Sequence, residues 1–259
     1  MKQRSVPKRF LHRIEYGMLL GLSAIFRSLP TSMLYGFVRG LALLGYHVFR
    51  MRRDVVEENI RLALGTDKTP GELNRIARES YMHIGMTFAE MLIFPDLSER
   101  VLEIVDMSER TALDDAFAKG LGVILIGCHC GSWEMSGACV GALGLPLTVV
   151  AKTQSNPHVD AWINRYRSRF HMKVISPGAP VKHIIRALRG GEVIGLISDQ
   201  DAGSHGVFTD FFGRQASTPR GAAELTLKYG TPVMVSMTVR TSPGRSEEHT
   251  SELQSRQVI

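Results

Sequence analysis

Residues 122–137 read Gly-Val-Ile-Leu-Ile-Gly-Cys-His-Cys-Gly-Ser-Trp-Glu-Met-Ser-Gly, and the fold follows from them. Val123 to Ile126 is a short, unbroken apolar run, the pattern of a strand buried on both faces, and Gly127 and Gly131 bracket a sharp exit from it. Ser132 stands where the N-cap of a new helix belongs, so His129 falls on the loop and Glu134 in the first helical turn. The His-x-x-x-x-Glu interval is too wide for one regular helix, but a turn between the two lets the carboxylate fold back onto the imidazole. A carboxylate on one ring nitrogen fixes the tautomer and raises the basicity of the other, which then takes a proton from a hydroxyl. No serine or lysine nucleophile is needed if that hydroxyl belongs to a substrate. The plainer alternative is a satisfied strand-end histidine and a glutamate complementing the helix dipole.

His129-Cys130-Gly131-Ser132-Trp133-Glu134 after a Val-Ile-Leu-Ile strand resembles the first signature block of the lysophospholipid acyltransferase superfamily. Within it, the matching branch is the lipid A biosynthesis acyltransferases, the lauroyl and myristoyl transferases of Kdo-bearing lipid A precursors. Three further stretches between Ile14 and Arg240 follow that family's order. Residues 164–170, Asn-Arg-Tyr-Arg-Ser-Arg-Phe, resemble its Arg-x-Arg segment, and the resemblance makes Arg167 the functional arginine. Residues 196–201, Leu-Ile-Ser-Asp-Gln-Asp, resemble its Asp-Gln-Asp block, with Asp199 at the matching position. Residues 207–221 carry Phe-Phe-Gly and Ser-Thr-Pro. Cys130, Ser132 and Lys152 depart from the residues common there, and lysine in place of arginine at 152 loses a bidentate fork for phosphate or carboxylate.

The net charge of +6 suits an anionic partner: a lipid surface, a phosphorylated acceptor or an acidic carrier protein. No recognition-helix, zinc-finger or aromatic RNA-binding signature accompanies it, so nucleic acid is not expected. Cys128, Cys130 and Cys139 are clustered and odd in number, which fits a reducing compartment. No distant Cys-x-x-Cys pair completes a zinc site with Cys128, His129 and Cys130, so no metal and no cofactor is expected. A rival role for Cys130 is that of a nucleophile forming an acyl-enzyme with His129 as its base.

Lys2, Arg4, Lys8, Arg9 and Arg13 precede two apolar stretches, 14–26 and 33–49, that close on Arg50, Arg52 and Arg53. Neither reaches the roughly twenty clean apolar residues of a spanning helix. Residues 1–53 are therefore expected to be membrane-anchoring helices lying in the cytoplasmic leaflet of the inner membrane, with a buried helical hairpin as the alternative. Asp54 to Leu64 reads as an amphipathic helix, and Thr69-Pro70-Gly71-Glu72 as a capping box opening a helix that Pro95 ends. Helix 108–119 then feeds the central strand. After it come strand 147–151, helix 157–170, strand 173–175, helix 180–189, strand 193–198, helix 219–229 and strand 232–240. That alternation predicts an α/β fold: a largely parallel central sheet flanked by helices, with ligands beyond the carboxyl ends of the strands. His129, Lys152 and Asp199 all fall at such ends. Arg165, Arg167 and Arg169 fan over too broad an arc of a helix to share one site. Asp199 is expected to be structural or to pair with the arginine.

Composition breaks at Gly244. Arg245 to Ser255, Arg-Ser-Glu-Glu-His-Thr-Ser-Glu-Leu-Gln-Ser, looks like the in-frame translation of a sequencing-library adapter. The expected organisation is therefore an anchor at 1–53, an acyltransferase domain at 54–244 that is cut short at its C-terminus, and a non-native tail at 245–259. The function expected from the resemblance is transfer of a fatty acyl chain from an acyl carrier protein thioester to a hydroxyl of a lipid A precursor. His129 and Glu134 are the expected catalytic residues, and Arg167, Lys152, Asp199 and Gly131 the expected substrate-binding ones. Two alternatives stand beside it: a glycerophospholipid or other glycolipid acceptor, and a non-catalytic lipid-binding module.

Overall fold

The computed structural model describes residues 6–108 and 110–253; Lys2, Arg4 and the tail residues 254–259 lie outside them. Four helices come first: α1 (Val6–Ser28), α2 (Thr31–His47), α3 (Arg53–Leu64) and α4 (Pro70–Leu97). Then follow α5 (Val101–Ile104), β1 (Val105–Asp106), α6 (Thr111–Ala118), β2 (Val123–Gly127), α7 (Trp133–Ala142), β3 (Leu147–Val150) and α8 (Pro157–Arg169). The chain goes on through β4 (Lys173–Ile175), α9 (Lys182–Arg189), β5 (Val193–Ile197), β6 (Val207–Phe211), β7 (Arg214–Thr218), α10 (Gly221–Tyr229), β8 (Val233–Ser242) and β9 (Arg245–Leu253).

Among the described residues the main sheet runs β1-β9-β8-β2-β5-β3-β4, parallel throughout except where β9 returns antiparallel to β8. The apolar run of β2 sits at its centre because both its faces are covered. Leu125 and Val123 point into a cluster with Leu113 of α6, Val140 of α7, Leu147 and Met172. Ile124 points the opposite way, with Ile194 and Val233, against Ala187 and Leu188 of α9 and Leu225 of α10. Period-two alternation thus feeds two cores from one strand. A third cluster joins Phe94 of α4 to Met135, Ala138 and Cys139 of α7, and a fourth binds α1, α2 and α4 through Phe26, Leu34, Val38, Ala89 and Ile93.

Local chemistry sets several boundaries. Glu72 accepts hydrogen bonds from the Thr69 backbone N–H and hydroxyl, both at 2.8 Å, which is the expected capping box of α4. That helix runs through Pro95 to Leu97 instead of stopping there. A proline so near the end removes one ladder bond but blocks no long continuation. Ser132 occupies the N-cap of α7 as expected, but its side chain makes no capping bond. The helix expected at 108–119 is shorter, opening at Thr111.

Two parts of the fold were not foreseen. Residues 207–218 form an antiparallel hairpin, β6 with β7, that pairs with no other strand among the described residues and exposes Phe208, Phe211 and Phe212. Residues 245–253, set apart by composition, lie inside the main sheet as β9 between β1 and β8. Their alternation turns Ser246 and Glu248 inward. The buried Glu248 carboxylate accepts hydrogen bonds from Ser136 at 2.9 Å and from Ser236 and Thr238. Three hydroxyls facing one carboxylate offset much of its burial cost.

Candidate active site

The sheet order brings together two residues that stand 70 apart in sequence. Strands β2 and β5 are parallel neighbours with Gly127 opposite Ile197, so the second residue beyond each strand, His129 and Asp199, emerges at the same level. The Asp199 carboxylate holds that histidine twice. Oδ2 accepts the His129 backbone N–H at 2.7 Å and Oδ1 meets the ring Nδ1 at 2.8 Å. A carboxylate can only accept, so in the neutral imidazole Nδ1 carries the proton and Nε2 has the free lone pair. Trp133 closes one side of the imidazole, edge-on at 4.9 Å between ring centroids.

Glu134, expected on the imidazole, bonds elsewhere. It sits in the first turn of α7, where Arg167 of α8 donates Nε to its Oε2 at 3.1 Å and Nη2 to its Oε1 at 2.5 Å. Both side chains are nearly buried, at 14% exposed for the arginine and 10% for the glutamate. Asp199, expected to be structural or to pair with the arginine, thus takes the histidine, and Glu134, expected there from spacing, takes the arginine. The reason is geometric. Entry into α7 points Glu134 down the helix toward α8, whereas the loop after β5 runs alongside His129. Arg167 is the inward member of its triplet; Arg165 and Arg169 are exposed, the latter over the Tyr166 ring.

Gly131 holds the loop between these pairs with φ +62°, and a Cβ there would lie 1.8 Å from the Thr238 carbonyl oxygen of β8. Only glycine permits both that conformation and that approach. Lys152 is exposed just past β3, at the edge of the same opening, and Gln200 lines it beside Asp199. Asp201 serves the loop itself, accepting the Gly203 backbone N–H at 2.9 Å. No group of three or more potential metal ligands occurs among the described residues. Burial raises the Cys128 thiol above its ordinary value, which keeps it protonated near neutral pH.

Behind this opening lies a cavity of about 1220 Å³ lined by His129, Glu134, Lys152 and Arg167 at its polar end. Its apolar branch, on the α7 and α8 side, has Leu125, Leu147, Val149, Trp162 and Met172 in its lining. Gly137 and Gly195 belong to the same lining. A Cβ at Gly137 would come 3.2 Å from Met172 Sδ, and one at Gly195 would come 3.1 Å from Val149 Cγ1. The arrangement is an imidazole held by a carboxylate and flanked by an ion pair, at the mouth of an apolar cavity, a geometry that suits a general base.

The sequence profile described as bacterial lipid A biosynthesis acyltransferase matches residues 3–252. The chain belongs to this family. Among curated relatives, a phosphatidylinositol mannoside acyltransferase of Mycobacterium tuberculosis is 28% identical over 191 residues, 69% of this chain and 58% of the relative. The lipid A biosynthesis lauroyltransferase of Escherichia coli K12 is 26% identical over 208 residues, 78% of this chain and 66% of its own length. The palmitoleoyltransferase of lipid A biosynthesis in the same organism is 24% identical over 245 residues, 92% of this chain and 78% of the relative. The chain thus spans 58% of the length of the mycobacterial relative it matches.

Proposed function

We propose that this protein transfers a fatty acyl chain from an acyl carrier protein thioester to a hydroxyl of a lipid A precursor at the cytoplasmic face of the inner membrane. The observation that carries the reading is the Asp199-oriented His129 at the mouth of a deep apolar cavity. The acyl chain lies in the branch between Leu125, Leu147 and Met172, with its thioester carbonyl at the mouth. Nε2 of His129 takes the proton of the acceptor hydroxyl as its oxygen attacks that carbonyl, and Asp199 stabilises the imidazolium that forms. Collapse of the tetrahedral intermediate forms the ester and expels the carrier thiolate, which recovers the proton from the imidazolium. The first-turn N–H groups of α7 lack intrahelical acceptors and face developing negative charge on the carbonyl oxygen. Glu134 acts through Arg167, holding the guanidinium at the cavity wall, while Lys152 meets an anionic group of either substrate.

The N-terminal helices support a bilayer setting. Phe10, Leu11, Ile14 and Met18 of α1 and Met33, Phe37 and Leu41 of α2 are exposed, with Arg9, Arg13 and Arg39 among them. No helix among the described residues is long and apolar enough to cross a membrane, so the anchor proposed is an interfacial one. A mannosylated glycolipid is the second acceptor favoured, because acyltransferases of that class match this chain over 69% of its length.

The test is a transfer assay with acyl carrier protein thioesters and a panel of lipid A precursors, mannosylated lipids and lysophospholipids, with products weighed by mass spectrometry. Acylation of the lipid A precursor supports the first reading and acylation of the mannolipid alone the second. Lipid binding without any transfer would leave only a non-catalytic module.

A further inference from the structure

A buried polar chain outside the site ends on the catalytic loop. Arg240, near the end of β8, places its guanidinium fork on Glu90 of α4, with Nε to Oε1 at 2.9 Å and Nη2 to Oε2 at 2.6 Å. Only 4% of the arginine and 2% of the glutamate side chain is exposed. Tyr35 of α2 donates its hydroxyl to the same Oε1 at 2.5 Å, and Arg240 Nη1 reaches His83 Nδ1 at 3.1 Å. Burial and the Glu90 carboxylate push the Tyr35 hydroxyl above its ordinary value, so it stays a donor. Nη2 also contacts Thr87 Oγ1 at 3.4 Å, and that hydroxyl lies 2.9 Å from the Gly131 carbonyl oxygen.

Thr87 is where the chain turns into control of the loop. A helical threonine ordinarily returns its proton to the carbonyl four residues back, here His83 at 3.0 Å. The Gly131 carbonyl oxygen, at 2.9 Å, is within equal reach of the same proton, so the hydroxyl bridges α4 and the loop while it accepts from Arg240. Gly131 is already pressed on the other side against the Thr238 carbonyl, so α4 and β8 grip it from two directions. His129 is two residues away. On the same helix Ile84 and Phe88 are exposed, next to His83 and Thr87 respectively, and Phe88 also lines the cavity.

We propose that Thr87, backed by the buried Arg240–Glu90 pair, is a positioning residue that sets the His129 loop by holding the Gly131 carbonyl. The role rests on the catalytic reading above but is testable without it. Thr87 touches no reacting atom; it fixes where the imidazole stands relative to Asp199. Since α4 carries exposed apolar residues beside this contact, the same helix ties the surface of the N-terminal bundle to the geometry of the site.

The experiment compares wild type, Thr87→Val, Thr87→Ser and Arg240→Lys. The His129 ring nitrogens are followed by ¹⁵N NMR across pH, assigned with His129→Gln, together with kcat, KM and Tm. Thr87→Val is expected to shift the His129 titration and lower kcat about ten- to a hundredfold while KM for the acyl donor stays within about twofold. Thr87→Ser restores both, and Arg240→Lys, which keeps charge but loses the fork, shifts the titration in the same direction as Thr87→Val. A His129 titration in Thr87→Val superimposable on wild type overturns the proposal, as does a serine variant no better than valine. If Thr87→Val does not fold, Arg240→Lys decides: its titration is expected to move away from that of wild type and Thr87→Ser, and one superimposable on wild type overturns the proposal. If wild type transfers no acyl group, the catalytic reading fails while the NMR comparison still decides the positioning role.

Discussion

Replacing Asp199 by asparagine perturbs the site with almost no change of shape. Asp199 accepts two hydrogen bonds, from the His129 backbone N–H at 2.7 Å and from its ring Nδ1 at 2.8 Å. Asparagine has one carbonyl oxygen for those two donors. The backbone N–H has no alternative state, so the oxygen goes there and the amide NH₂ faces Nδ1. The imidazole must then accept at Nδ1 and carry its proton on Nε2, the nitrogen proposed as the base. Loss of a correctly protonated general base costs about a hundredfold to ten-thousandfold in rate, or about 3 to 5 kcal/mol of barrier. His129 and Asp199 are 37% and 36% exposed, so water competes with the pair and the lower half of that range is expected. The assay is single-turnover acyl transfer at saturating donor, run alongside Glu134→Gln. That variant disturbs only the Arg167 contact and is expected to lose less than Asp199→Asn. A Glu134→Gln variant more damaged than Asp199→Asn, or an asparagine variant within about threefold of wild type, would refute the assignment of the two carboxylates.

Other expectations follow from the same geometry. Gly131→Ala places a Cβ against the Thr238 carbonyl at a left-handed φ; a destabilisation of about 3 kcal/mol or more is expected, read as a Tm lowered by roughly 6 °C or more. Gly137→Leu fills the apolar branch beside Met172 and Leu147 and should change the ratio of short- to long-chain donor use by about tenfold or more, measured by competition between two thioesters. Glu192 is raised by burial, but hydrogen bonds from Lys173 and Thr148 outweigh that and leave its carboxyl below the usual value. A depressed folded value contributes stability above the unfolded pKa that is lost as pH falls through the folded one. Denaturant titrations from pH 7 down to 3 should therefore show a shallower acid loss for Glu192→Gln than for wild type.

Much of this architecture was legible in the chain because it rests on local rules. The run Val123 to Ile126, the Thr69 to Glu72 cap and the alternation of strands and helices each carry their own signal. The parallel sheet and the placement of His129 and Asp199 at strand ends follow from those signals. The pairing of His129 did not. A carboxylate five residues away competes with one 70 residues away only once the order of strands is known, and nothing local states that β2 and β5 are neighbours. The β6–β7 hairpin was missed for a related reason: its side chains are largely exposed, so no apolar alternation marks it. Residues 245–253 enter the sheet by pairing with β8 and β1, with Glu248 met by Ser136, Ser236 and Thr238, contacts between elements that composition cannot report.

In the proposed reaction His129 removes a proton from the acceptor and no protein side chain carries the acyl group. Intact-mass spectrometry during a single turnover, on wild type, His129→Ala and Cys130→Ser, tests it in one measurement. Acylated lipid and no acylated protein are expected with wild type and Cys130→Ser, and loss of product with His129→Ala. An acyl adduct on Cys130 that forms and decays as product appears, or transfer by His129→Ala at the wild-type rate, would contradict it.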